Sequence, residues 1–431
     1  MLPPSNTGLR AAGAERGLAE ALRGEIAFLR HRVEGLEHRD SSDWDLAVRE
    51  PAVAGQAVEA RFGRPLLTVA RRYVTQRYFE WGQVDFLPCF EWNGCEYLDP
   101  GRFWTCVQPG DDGLPRPRLA HDAFIAWMTG LLWGSKHGTR YEGLLKRAVK
   151  EDGKEFRACL EQAFGIARAK ALVRRVEDGD FDGMDRVARS LRRVFAWRCL
   201  MRAPLATIDR VARHWACEFG HHVRPPFPWI ALLGPDGSGK SSVIAGLRER
   251  LKPTRIGVKE AHWGPRPRGD GEVPGAPVTD PHGREPRGVV LSIGKTAWLC
   301  ARWWGARVGS VGHFRAKRAM LISDRYFDDL RVDPRRYRYG AGPGWARAMF
   351  RLLPRPDRVL VLVAPATTIH DRKQEVPLEE LERQLVAYRE LAQELGPRAV
   401  LLDAALPAEE VVEQAWAGIW GRAKCQGPSD Q

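Results

Sequence analysis

Residues 229–243, Trp-Ile-Ala-Leu-Leu-Gly-Pro-Asp-Gly-Ser-Gly-Lys-Ser-Ser-Val, constrain the fold more than any other stretch of the chain. An apolar run leads into a glycine-rich loop, and the loop leads into helical spacing. The run is too short for a helix and reads as a buried parallel strand, while Ser242 to Leu251 reads as a helix. Gly234, Gly239, Lys240 and Ser241 fill the spacing G-x-x-x-x-G-K-[ST]. In such a loop, backbone N–H groups converge at the positive end of a helix, an environment that selects a polyphosphate. The lysine reaches the outer phosphates and the Ser241 hydroxyl is placed for Mg²⁺. The expectation is ATP with Mg²⁺ held at residues 234–242, with Asp236, Gly237, Ser238 and Ser242 completing the loop.

A ligand of this charge suits the rest of the composition. The chain has 431 residues, enough for two or three domains with cores of their own, and a formal net charge of +13. That charge favours anionic partners such as nucleotides or sugar phosphates, though an arginine-rich solvated surface explains it equally well. No basic strand with alternating aromatics points to nucleic acid. The eight cysteines are scattered, without a C-x-x-C pair or zinc spacing, and read as reduced thiols. Residues 1–17 lack the apolar core of a secretory signal, so a cytoplasmic protein is expected. The longest apolar stretch, Val289 to Trp304, is interrupted by Lys295 and Arg302 and falls short of a membrane span. It reads as a helix with a buried face; peripheral membrane contact through Trp298, Trp303 and Trp304 is the alternative.

Pattern divides the chain into three segments. Residues 1–110 combine an amphipathic helix over Leu18 to Leu29 with strands near Leu46 to Val48, Leu66 to Val69 and Val84 to Pro88, an α+β unit. Residues 111–224 carry apolar residues three and four apart almost throughout, a helical lobe. Arg224-Pro-Pro-Phe-Pro228 cannot continue a helix and opens the third segment, residues 225–431. There, helical patterns alternate with the apolar runs Ala319 to Ser323, Arg358 to Val363 and Ala399 to Leu402, which argues for an α/β domain with a parallel sheet covered by helices. Gly264 to Gly288, rich in Pro and Gly, reads as a loop over a site or a tolerated surface insertion.

Ligands of parallel sheets bind at the carboxyl ends of the strands, and Asp324, Arg325 and Tyr326 follow directly after the strand-like Ala319 to Ser323. A carboxylate there can orient Mg²⁺ or accept the acceptor's proton, and the arginine can neutralise charge developing on a transferred phosphoryl group. The loop Gly-Pro-Asp-Gly-Ser-Gly-Lys-Ser-Ser, with Asp-Arg-Tyr about eighty residues later, resembles the thymidylate kinase family of P-loop kinases. The resemblance covers residues 228 to 422 and implies a P-loop NTPase fold. It also implies that Arg372, and Lys373 beside it in Ile369-His-Asp-Arg-Lys-Gln-Glu375, close over the triphosphate, and that Asp236 faces the acceptor phosphate. After Asp-Arg-Tyr the chain departs from the family. Asp328, Asp329, Arg335, Arg336 and Arg338 interleave with Tyr337 and Tyr339, unlike a thymidine pocket. Such a cluster suits a hydroxyl-bearing anionic acceptor, a nucleotide, sugar phosphate or glycan precursor, and equally a solvated basic loop.

A second set of acids lies near the start. Ser41-Ser-Asp-Trp-Asp-Leu-Ala-Val48 sets Asp43 and Asp45 on one face of a strand, and Asp85 follows in Gln83-Val-Asp-Phe-Leu87. This pattern resembles the nucleotidyltransferase fold, which implies acids that bind two Mg²⁺ ions. Glu34-Gly35-Leu36 stands where that family carries Gly-Ser or Gly-Gly, so a degenerate recognition domain, or acids merely ending a turn, compete with an active transferase. His31 and His38 read as surface residues. Three functions follow: a phosphotransferase using Lys240, Asp324, Arg325 and Arg372; an ATP-dependent regulator without transfer; and a bifunctional nucleotidyltransferase-kinase.

Overall fold

The computed structural model describes residues 16–29, 43–110, 113–134, 141–264, 285–317, 319–374 and 376–421. Glu34 to Leu36, His31, His38 and most of the Gly264 to Gly288 loop lie outside them. The chain divides into two compact units, Met1–Phe219 and Gly220–Gln431.

The first unit is built on a mixed five-stranded sheet of β1 (Ile26–Phe28), β2 (Asp43–Val48), β3 (Leu67–Ala70), β4 (Thr75–Phe79) and β5 (Gly82–Leu87), in the order β1-β2-β5-β4-β3. β2 and β5 run parallel, and the other neighbours antiparallel. Alternation places Leu46, Val48, Val84 and Phe86 in a core with Val58 of the helix Pro51–Phe62. The helix expected over Leu18 to Leu29 stops well short of Leu29. Residues 16–21 are helical, but Gly24 takes φ +81° and the chain enters β1. Apolar residues at 18, 22, 26 and 29 fit a helix, yet once a glycine turn intervenes the last two fill strand positions equally well.

Two short hairpins follow, β6 (Phe90–Trp92) with β7 (Cys95–Leu98) and β8 (Gln108–Pro109) with β9 (Pro115–Arg116). Helices Leu119–Trp133, Glu142–Phe164, Ile166–Glu177, Phe181–Arg202 and Pro204–Val223 complete the helical segment. It shares a single hydrophobic core with Ala27, Ala47, Phe90 and Tyr97 of the strands, so strands and helices bury each other within one unit. One break has a clear cause. Asp152 leaves helical geometry within Glu142–Phe164, and its carboxylate accepts the Ala120 N–H at 3.2 Å and pairs with Arg118 at the start of Leu119–Trp133.

The second unit is α/β. β10 (Trp229–Leu233), β11 (Gly257–His262), β12 (Ala319–Asp324), β13 (Arg358–Val363) and β14 (Ala399–Asp403) form an all-parallel sheet ordered β11-β12-β10-β13-β14. Both faces of β10 are buried, as its uninterrupted apolar text requires. Trp229, Ala231 and Leu233 pack with Leu299 and Trp303 of the helix Val289–Val308 and Tyr388 and Leu391 of Leu378–Leu395. Helices Lys240–Leu251 and Ala408–Trp420 pack on each other and on β12, β13 and β14. The edge strand β11 carries the half-polar text Gly-Val-Lys-Glu-Ala-His, which hid it from apolar periodicity. Among the described residues no helix is long and apolar enough to cross a membrane.

Candidate functional site

The reversal of strand order around β10 puts three carboxyl ends side by side. Register pairs Leu232 with Asp324 across β10 and β12, and His262 with Asp324 across β11 and β12. A crevice at that switch point is the general ligand position of open parallel sheets. Beyond β10 the chain turns through Gly234, Gly237 and Gly239, with φ of +146°, +82° and +91°. At Gly237 the space is also restricted, because a Cβ would meet the Ile369 carbonyl at 3.2 Å and Lys373 Cβ at 2.9 Å. At Gly239 a Cβ would meet nothing within 4 Å, so the loop is open there.

Lys240 begins the following helix with its side chain buried, 7% exposed, and Nζ donates to the carbonyls of Gly234 and Pro235, each at 2.8 Å. Burial, reinforced by the Arg325 charge, lowers its pKa from 10.5 to about 8 despite Asp236 at 3.8 Å. Ser241 and Ser242 are exposed on the first turn of the helix. Ser238 is buried, and its Oγ has no hydrogen-bond partner among the described residues.

Asp324 and Arg325 leave β12 at the same edge. Asp324 Oδ2 accepts from His262 Nδ1 at 3.1 Å, while Oδ1 is buried and accepts no hydrogen bond among the described residues. Burial alone would raise the Asp324 pKa, but His262 and Lys240 outweigh it and hold the carboxyl below its usual value. Arg325 adopts φ +70°, a left-handed conformation that costs a residue with a Cβ about 1 to 2 kcal/mol. Its N–H donates to the Leu232 carbonyl at 3.0 Å, and its guanidinium bridges Asp236 and Asp329. Burial disfavours that charge, yet Asp329, with Asp236 assisting, keeps the guanidinium protonated. The strain and the desolvation are therefore held by two buried charge-assisted contacts.

The network extends further than the loop and Asp-Arg-Tyr. Asp236 also pairs with Arg336, so two guanidiniums share one carboxylate. Asp329 accepts from Tyr337 Oη at 3.1 Å and from Tyr388 Oη at 2.7 Å. Trp263, at φ +54° just past β11, stacks on Tyr337 with centroids 3.9 Å apart. Asp236, Lys240, Asp324 and Arg325 are thus gathered in one place. Within the interleaved cluster, Asp329, Arg336 and Tyr337 join them. Asp328 is instead buried elsewhere, its pKa pushed up to about 7 by that burial, Arg335 is exposed, Arg338 donates to the Glu285 carbonyl at 3.0 Å, and Tyr339 to that of Gly342 at 3.0 Å. Arg372, at the end of the helix Ala366–Arg372, donates to the Ala404 carbonyl at 2.8 Å, while Lys373 reaches the loop at Gly237.

His262 and Tyr388 belong to the site and were not singled out from the sequence. His262 had a signal, its place at the carboxyl end of a strand, but β11 lacks an apolar text. Tyr388 had none, because only the packing of Leu378–Leu395 brings it to Asp329.

In the first unit, the register of β2 and β5 sets Asp45 opposite Asp85, and Asp43 opposite Gln83. Asp85 accepts from Gln83 at 2.6 Å and from Gln76 at 3.3 Å. His121, Glu155 and Cys159 also lie with ligand atoms within 4.8 Å of one another. Glu155 already pairs with Arg102 at 2.5 Å, with Arg118 at 3.9 Å, and burial pushes the Cys159 thiol up to about 12. Two guanidiniums on the only carboxylate oppose a cation, so this cluster is a polar tie between helices.

Neither a scan of protein-family models nor a search of curated proteins returns a match to this chain.

Proposed function

We propose that the C-terminal unit is a P-loop phosphotransferase of the thymidylate kinase-like class, moving the γ-phosphoryl of ATP to a small anionic acceptor. The observation that carries this reading is the convergence of Lys240, Asp236, Asp324 and Arg325 at the switch point of a parallel sheet beside an open glycine loop. The loop offers N–H groups, and Lys240 can exchange two carbonyls for phosphate oxygens, which restores the full charge that burial disfavours. Arg325 and Arg336 are already gathered on a carboxylate and can receive an anionic group in its place. Trp263 and Tyr337 offer a flat aromatic wall beside them.

The donor set fits Mg²⁺. Asp324 is held ionised with one buried oxygen that has no hydrogen-bond partner among the described residues, and the Ser241 hydroxyl stands on the adjoining turn. Bound there, the ion would neutralise charge on the phosphates. Lys373 lies against the loop at Gly237, and Arg372 would have to leave the Ala404 carbonyl to close over the phosphates.

The test is ADP formation with ATP and Mg²⁺ across nucleotide and sugar-phosphate acceptors. Acceptor-dependent turnover that Lys240→Ala removes supports the kinase. ATP binding without acceptor-dependent ADP at any acceptor favours the regulator, and full turnover in Lys240→Ala sinks the proposal. A second reading, a nucleotidyltransferase in the first unit, is favoured by the register of Asp45 and Asp85. Pyrophosphate release abolished by Asp43→Ala would support it.

A further inference from the structure

The helix Val289–Val308 presents two chemically distinct faces. Ser292, Thr296, Leu299, Cys300 and Trp303 are buried, and the Trp303 ring stacks on Trp229 with centroids 4.8 Å apart. Trp303 is therefore part of the core and unavailable to a membrane. The opposite face is apolar and exposed: Val290 is 81% exposed, Leu291 68%, Trp298 56%, Trp304 49% and Val308 67%. The ridge continues onto the helix Pro343–Leu352, where the Trp304 indole N–H donates to the carbonyl of the exposed Leu352 at 2.7 Å.

The charges that these two helices themselves carry have one sign, with Glu394 of the helix Leu378–Leu395 close to Arg347 and Arg351 at the far end of the ridge. Lys295, Arg302 and Arg307 lie on the first helix and Arg347 and Arg351 on the second, and neither helix contains an Asp or Glu. The Arg302 guanidinium lies over the Trp298 ring at 4.6 Å from its centroid, joining cation and indole in one exposed element. The helix Pro204–Val223 makes an instructive contrast. It also exposes Leu205, Ile208, Trp215 and Phe219, but it carries Asp209, paired with Arg213, and Glu218. Mixed charges of that kind suit another polypeptide, whereas apolar residues, indoles and cations alone suit an anionic bilayer surface.

We propose that the face formed by Val290, Leu291, Trp298, Trp304 and Val308 docks the C-terminal unit onto anionic lipid. The helix lies in the plane of the interface, its indoles at headgroup depth and its basic side chains among lipid phosphates or carboxylates. This inference does not rest on the kinase reading, since no residue of the ridge belongs to the phosphate loop or the Asp236–Arg325 network.

Co-sedimentation of the full chain with vesicles tests it. Vesicles of phosphatidylcholine containing about a third phosphatidylserine should retain the protein, pure phosphatidylcholine should not, and retention should weaken as salt is raised. The pair W298A and W304A, and separately K295E and R302E, should each lower retention at least about tenfold while leaving the circular dichroism unchanged. Indole quenching by brominated lipid should fall in W298F with W304F. The proposal is overturned by failure to sediment with either vesicle. Equal retention on neutral lipid, insensitive to these substitutions, overturns it too. So does a lipid-free dimer that dissociates in the tryptophan variants, because that outcome assigns the ridge to a second copy.

Discussion

The two five-stranded sheets each bring acids together, and they balance them differently. In the C-terminal unit, Asp324 faces His262, Lys240 and Arg325, and Asp236 and Asp329 hold Arg325 between them. In the N-terminal unit, Asp85 takes the neutral amides of Gln76 and Gln83 and stands opposite Asp45 in register. A carboxylate satisfied by cationic side chains can exchange them for a ligand, because a charged substitute is at hand. Asp45 and Asp85 meet side by side across β2 and β5, a juxtaposition of like charges that a bound cation would stabilise. The comparison separates a cluster whose acids hold lysine and arginine side chains from one in which two acids meet in register.

The sharpest way to break this contrast is Lys240→Ala, expected to lower acceptor-dependent ADP formation by about 10² to 10³-fold, against less than about threefold for Asp85→Asn in the same assay. Comparable losses from both would erase the distinction. Next in size is stability. Arg325→Met removes the guanidinium from the buried Asp329 and leaves Asp236 to Arg336, and urea denaturation should show a loss of about 3 kcal/mol, larger than any single change at Asp45 or Asp85.

A pH series sharpens the comparison further. The Lys240 pKa stands near 8 rather than 10.5, and a bound polyphosphate would raise it, so nucleotide binding should take up a proton above pH 8. Affinity then falls as pH rises, by about tenfold between pH 7 and 9, measurable by calorimetry in buffers of different ionisation enthalpy. The stability sign is opposite: without ligand, charging the buried lysine is unfavourable, so the unit gains stability as pH rises from about 8 to 10.5. The smallest effect expected is Tyr388→Phe, about 1 kcal/mol, from the lost hydrogen bond to Asp329.

How much of this was legible depended on whether a feature was local. The β10 strand, the glycine turn and the helix from Lys240 are contiguous, so periodicity and spacing revealed them, and Asp324 with Arg325 followed from their place at the carboxyl end of β12. Strands β12, β13 and β14 were apolar enough to read directly. The rest depended on distant packing. Nothing in Leu378–Leu395 marks Tyr388 as a partner of Asp329, and in Val289–Val308 only burial separates Trp303 from Trp298 and Trp304. The helical segment reads as a lobe of its own because its periodicity is self-consistent, although its buried face is completed by Phe90 and Tyr97. The run from Leu18 to Leu29 misled because one glycine converts helical spacing into strand positions.

Asp236, shared by Arg325 and Arg336, also bears on which acceptors such a site would tolerate. In the proposed phosphotransferase it would act as a tethered competitor, a monoanion at high effective concentration built into the receptor itself. An incoming carboxylate would gain little by displacing its equal, whereas a phosphate monoester, with nearly twice the charge and a third oxygen, could win both guanidiniums. Selection by charge would thus operate before any contact with the remainder of the acceptor, and Asp236→Asn would be the change that relaxes it.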